Sequence, residues 1–308
     1  MIRHAIFKGH RDCIYGLAAH PDGFQFYTGG ADGYIVRWDS RSDGQGVLVA
    51  RVGSSVYALL ATGNGLLLAG THQGELYGFD MAANKLIFQH TLSGSIFSLV
   101  QEDNTLWAGT AGGYLYQLSE DGRQVVRQQR YGEKSIRSIL PLDVSRMALA
   151  CSDGHIRLID KHADMAVRHS WAAHQHATFC MAWSPEEKLL VSGGRDAQIR
   201  IWAWSGDDQA PALLQEVPAH WFTVNALWMD QLHQMLYSGS RDNTLKCWTV
   251  PELQLLDRKG SKDRSTDDGH KHSINRMLWL DATERLITAS DDKSVMLWRR
   301  DAPESFGE

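Results

Sequence analysis

One motif recurs along this chain: apolar, small, Gly, two variable residues, a turn residue, then apolar residues alternating up to a final aromatic. It occurs seven times, as YTGGADGYIVRW (27–38), LAGTHQGELYGF (68–79), WAGTAGGYLYQL (107–118), LACSDGHIRLI (149–159), VSGGRDAQIRIW (191–202), YSGSRDNTLKCW (237–248) and ITASDDKSVMLW (287–298). The final residues are spaced by 41, 39, 41, 43, 46 and 50 positions. The last two spacings are stretched by inserts around 205–217 and 257–269. Such a period marks a repeat architecture, in which a unit buries its apolar face only against its neighbours.

Each copy reads as two strands joined by a tight turn. The alternation in YIVRW, TLKCW and SVMLW has the period of a half-buried strand. Asp-Gly, Asp-Asn and Gly-Gly between the strands tolerate positive φ. Before each pair lies another apolar stretch, such as CIYGLAAH or TVNALW, and after six of the seven lies a further one, such as GVLVA or LQLLD. That predicts four strands per repeat and almost no helix. The seventh repeat lacks its last strand, because only RRDAPESFGE follows Trp298. IRHAIF (2–7), ahead of the first repeat, supplies it. A ring closed in this way removes the open sheet edges that a linear array would leave. The expected fold is therefore all-β: a single seven-bladed propeller of four-stranded antiparallel blades, one domain over 1–300, with a short polar tail at 301–308.

The 308 residues are 43% hydrophobic and 22% charged, as in an ordinary globular protein. A net charge of −5, without blocks of like charge, gives no general attraction to nucleic acid or to an anionic membrane. No stretch approaches the ~18 apolar residues of a spanning helix, and MIRHAIFKGHRDC lacks the apolar core of a signal peptide. Cys13, Cys151, Cys180 and Cys247 are scattered and form no CxxC pair. They read as small buried hydrophobes in a reducing compartment, so the expected location is the cytoplasm.

Several repeats open on Gly-His or Ala-His: Gly9-His10, Ala173-His174, Ala219-His220 and Gly269-His270. The first motif ends on Trp38-Asp39. With a period near forty residues, these features make the chain resemble WD40 repeats over essentially its whole length. Repeats one, five, six and seven match well, and repeats two to four are degenerate.

Residues 238–248, SGSRDNTLKCW, with His220 upstream, suggest the serine, histidine and aspartate of a hydrolase. The same set stands four times: His10/Thr28/Asp32/Trp38, His174/Ser192/Asp196/Trp202, His220/Ser238/Asp242/Trp248 and His270/Thr288/Asp292/Trp298. The separation from His to Asp is 22 in each. An active site needs one such group, whereas a structural repeat has many. The resemblance implies a buried hydrogen-bond network in each blade, which gives every buried polar group a partner. GxSxG does not occur, and no catalytic residue is assigned. Repeats two to four have lost the set. There stand Ala69, Gln73 and Phe79; Ala108, Gly112 and Leu118; and Leu149, Asp153 and Ile159.

His174-Gln-His176 and His270-Lys-His272 space histidines by two, but zinc needs three or four converging ligands, so no metal is expected. GTAGG (109–113) lacks phosphate-loop spacing and reads as a turn. No cofactor is implied. The polar inserts SGDDQAP (205–211) and DRKGSKDRSTDDGH (257–270) read either as solvated loops or as partner contacts.

The resemblance also implies where a partner would sit. The fifth residue after each repeat histidine, and the residue before each turn aspartate, are expected on the narrow face around the central channel. The fifth positions are Tyr15, Tyr57, Phe97, Arg137, Phe179, Asn225 and Asn275. The turn positions are Ala31, His72, Ala111, Ser152, Arg195, Arg241 and Asp291. Tyr and Arg are enriched in binding hot spots. Tyr15, Tyr57, Phe97, Arg137 and Phe179, with Arg195 and Arg241 nearby, would suit a peptide carrying an acidic or phosphorylated residue. The other reading is that they pack between blades and line a wet channel. The favoured function is a non-catalytic scaffold that binds a protein or peptide, with no nucleic acid and no membrane as partner. An enzyme or small-ligand binder using the central pocket is the alternative.

Overall fold

The apolar stretches ahead of each motif form the innermost strands of seven sheets: Ile14–Ala19, Val56–Ala61, Ile96–Glu102, Ile136–Pro141, Thr178–Ser184, Val224–Asp230 and Ile274–Leu280. The structure, a computed structural model, describes residues 1–42, 44–204, 210–260 and 268–300. The tail at 301–308 and the insert residues 205–209 and 261–267 lie outside the described residues.

Each sheet is a four-stranded antiparallel meander, as the pattern predicts. In blade one, Ile14–Ala19 pairs with Gln25–Gly30, which pairs with Tyr34–Asp39, which pairs with Val47–Arg51. The turn at Asp32-Gly33 shows why glycine stands there. Gly33 has φ +73°, and a Cβ on it would lie 2.3 Å from the carbonyl oxygen of Val52. Glycine suits both the backbone and the close approach, while Ala197, Asn243 and Lys293 hold positive φ at the same position of blades five, six and seven.

The seven innermost strands contact one another in sequence and the seventh contacts the first, so the ring is closed. Blade seven takes its fourth strand from the start of the chain. Ile2–Lys8 pairs antiparallel with Ser294–Arg299, with Lys8 opposite Ser294. From this strand Phe7 reaches into blade one, edge-on to Phe26 at 5.4 Å and to Trp38 at 5.7 Å between ring centroids. Such aromatic pairs contribute about 0.5–1.5 kcal/mol beyond their area burial.

The core lies between blades. Among the described residues seven apolar clusters are present, each spanning two adjacent blades. One joins Val191 and Ile201 of blade five to Val224 and Leu236 of blade six. A blade cannot cover both its faces alone, so burial requires the neighbours. Among the described residues the only helical element is a short 3-10 turn at Asp281–Thr283, and no helix is long and apolar enough to cross a membrane.

Candidate functional site

Every innermost strand carries one irregularity at the same place. Pairing with the second strand skips a residue between Ile14 and Gly16, Val56 and Ala58, Ile96 and Ser98, Ile136 and Ser138, Thr178 and Cys180, Val224 and Ala226, and Ile274 and Arg276. The skipped residues are the fifth positions: Tyr15, Tyr57, Phe97, Arg137, Phe179, Asn225 and Asn275. A bulge leaves a residue without a partner and re-aims its side chain. All seven line one cavity of about 390 Å³ at the mouth of the channel.

Five of these side chains form a continuous row across blades one to five. Tyr15 meets Tyr57 edge-on at 5.2 Å, and Tyr57 stacks on Phe97 at 5.5 Å. The Arg137 guanidinium lies 4.1 Å from the Phe97 centroid and 5.0 Å from that of Phe179. All five are half-buried. Turn positions brace the row. His72 packs on Tyr57, Ser152 Oγ accepts from Arg137 Nε at 2.8 Å, and Asp291 accepts from Asn275 Nδ2 at 2.7 Å. Arg195 and Arg241 are not in the cavity. Both are exposed at their turns, outside the ring.

Three further residues belong to this face and were not read from the sequence. Trp221 and Phe222 follow His220 and are 71% and 58% exposed, a level rare for large aromatics. The backbone N–H of Trp221 donates to Asp242, and the Phe222 carbonyl accepts from Ser240, which places both beside the Arg241 turn. The third is Arg276. The sixth residues after the repeat histidines and their aligned positions are Gly16, Ala58, Ser98, Ser138, Cys180, Ala226 and Arg276, so six are small and one is long and charged. That departure was a signal available in the repeat alignment. Arg276 extends from blade seven across the channel, where its Nη2 donates to the Phe97 carbonyl of blade three at 3.0 Å. Burial lowers its pKa from the ordinary arginine value. Burial, and then the charge of Arg276, do the same to Arg137. Both stay protonated, since arginine does not lose its proton in proteins.

The polar sets of blades one, five, six and seven each form one chain of hydrogen bonds. In blade six, Trp248 Nε1 donates to Ser238 Oγ at 2.8 Å, Ser238 Oγ lies 2.7 Å from His220 Nε2, and His220 Nδ1 lies 3.1 Å from Asp242. Indole can only donate and the carboxylate can only accept, so in the neutral imidazole Nδ1 carries the proton and Nε2 accepts from the serine hydroxyl, which itself accepts from Trp248. The same links join His10, Thr28, Asp32 and Trp38; His174, Ser192, Asp196 and Trp202; and His270, Thr288, Asp292 and Trp298. Burial would raise the carboxyl pKa of Asp196, Asp242 and Asp292, but hydrogen bonds from their histidines, Arg200, Thr244 and Ser294 hold all three well below the usual range. The order hydroxyl, imidazole, carboxylate is that of a hydrolase triad. Yet Ser238 and the His220 ring have no exposed surface, so no substrate carbonyl can reach the hydroxyl.

In the degenerate blades apolar residues fill the same space. Val52, Ala69 and Phe79 share one core cluster. Leu92, Ala108 and Leu118 share another, and Tyr131, Leu149 and Ile159 pack in a third. Replacing every partner of a buried polar group at once leaves none unsatisfied, which is why the exchange is tolerated.

The family model "WD domain, G-beta repeat" matches residues 2–39, 166–203, 212–249 and 261–299. Each of these four segments contains one of the hydrogen-bonded sets, and is offset from its blade by one strand. The chain belongs to the WD40-repeat family. This WD40 propeller is 25% identical over 327 residues to transducin beta-like protein 3 of Bos taurus, which covers 96% of this chain and 40% of that protein. It is 27% identical over 222 residues to striatin-4 of Mus musculus, covering 70% of this chain and 24% of that one. It is 28% identical over 134 residues to nuclear distribution protein nudF of Emericella nidulans, covering 42% and 28%. The chain thus spans well under half the length of these relatives.

Proposed function

We propose that this WD40 propeller is a non-catalytic scaffold, folded as one unit over residues 1–300, that binds a partner protein or peptide on the channel-mouth face. The row Tyr15–Tyr57–Phe97–Arg137–Phe179 carries this reading. Seven independent bulges converge on one cavity, and five of them present a continuous aromatic and cationic floor. Large rigid rings offer contact area at little cost in side-chain entropy. Arg195, Arg241, Trp221 and Phe222 extend the surface toward blades five and six. The arginines favour a partner segment with an acidic or phosphorylated residue.

The net charge of −5 argues against nucleic acid as the partner. The buried state of Ser238 argues against an enzyme built on the repeated polar sets. Four free cysteines, three of them buried, fit a reducing compartment such as the cytoplasm. A cavity of about 390 Å³ also falls in the range of small-ligand sites, which supports a small molecule as the second reading.

Capture of partners from the source cell by wild type and by a folded Tyr57→Ala/Arg137→Ala/Phe179→Ala variant tests the proposal. The expected result is a partner held by the wild type and lost by the variant. A partner held equally by both would move the site to the inserts or the blade edges. No partner at all would favour the small-ligand reading.

A further inference from the structure

Arg137 and Arg276 are two half-buried cations at the neck of the channel, and among the described residues neither forms an ion pair. Both line the mouth cavity and the cavity of about 220 Å³ beneath it. Neither lining contains an aspartate or glutamate. Nearby Asp291 is turned to the Asn275 amide. Arg276 makes one hydrogen bond, to the Phe97 carbonyl, and Arg137 makes one, to Ser152. A guanidinium has five donors, so most of those on both side chains remain available. Two like charges at one neck oppose burial and each other, and a buried charge is normally paired. The six small residues at the sixth positions leave the space into which Arg276 extends.

We propose that Arg137 and Arg276 form a phosphate-binding site in the channel, filled either by free phosphate or by a phosphorylated side chain of the partner. A phosphate group carries about −1.5 to −2 charges at neutral pH, which matches two guanidinium groups. Its oxygens accept the forked donors that arginine presents. Phe97 and Phe179 flank Arg137, screen it from water and fix its plane. The site rests on the scaffold reading only for its second source, the phosphorylated partner.

The test is titration of the full chain with inorganic phosphate at constant ionic strength, read by calorimetry and by melting temperature against chloride. Saturable binding is expected for wild type and for Arg123→Gln, which removes an exposed positive charge elsewhere. Arg276→Gln and Arg137→Gln are each expected to weaken binding about tenfold or more. Arg276→Lys keeps the charge and loses the fork, so it guards against a glutamine variant that fails to fold, and it is expected to bind at reduced affinity. Phosphate acting no better than chloride overturns the proposal, as does unchanged affinity in the folded Arg276 variants. A phosphoserine peptide that displaces inorganic phosphate, where its unphosphorylated form does not, assigns the site to the partner. Displacement by neither assigns it to free phosphate. A partner lost with Tyr57→Ala/Phe179→Ala from a chain that binds no phosphate leaves the scaffold standing and removes the anion site.

Discussion

His220 Nδ1 lies 3.1 Å from an Asp242 carboxylate oxygen, and the imidazole has no exposed surface. Truncating His220 to alanine leaves Ser238 and Asp242 each short of a partner inside the blade. His220→Ala is expected to destabilise the fold by about 1–3 kcal/mol. Urea unfolding measures it, and a wild-type midpoint would refute the structural role of the network.

Blade three makes the converse case. Leu92 is 5% exposed and packs with Ala108 and Leu118 where other blades carry the polar set. Leu92→Ala should cost about 2–5 kcal/mol through the cavity it opens. Leu92→His should not rescue the loss, because Ala108 and Leu118 offer an imidazole nothing to bond. Equal stability of Leu92→His and wild type would contradict this.

The networks also set a pH dependence. Burial lowers the pKa of His10 and His220, and the opposing pull of Asp32 and Asp242 does not restore it. The unfolded chain therefore takes up protons first, near pH ~6.5. Stability is complete above that value and declines as pH falls below it. The depressed carboxyls of Asp196, Asp242 and Asp292 act with the same sign at lower pH, removing stability as pH falls below about 3.9. Melting temperature should fall steadily from pH 7 to pH 4. A rise over that interval would contradict the assignment.

Closure of the ring depends on the first strand. Phe7 is 1% exposed and joins that strand to Phe26 and Trp38 of blade one. Phe7→Ala is expected to cost about 3–5 kcal/mol. Thermal and chemical unfolding both report it, and a loss under ~1 kcal/mol would mean that the closing strand contributes little.

Trp221 and Phe222 separate binding from stability. Trp221→Ser/Phe222→Ser should change folding stability by no more than about 0.5 kcal/mol per site, because both side chains are exposed. Partner capture should fall sharply if these rings act as anchors. Unchanged capture would confine the contact surface to the cavity.

The strands, the turns and the four polar sets were legible because each is local or periodic. Alternation marks a strand, Asp-Gly marks a turn, and a fixed His-to-Asp spacing of 22 marks a set that repeats. The fifth-position ring was legible through the same repeat, since one register serves all the blades. Arg276 was not read, although the repeat alignment set it apart from six small residues. Trp221 and Phe222 sat in a connection that the motif leaves unconstrained.

What the sequence determined by itself is the number of blades, the strands within them and the strand that closes the ring, because hydrophobic period and turn chemistry act over a few residues. Tertiary structure alone decided that seven bulges turn their side chains onto one cavity, and that Arg276 of blade seven meets Phe97 of blade three across it. The last of these contacts joins residues 179 positions apart. They exist only once seven blades converge on a common axis, and no local pattern specifies that convergence.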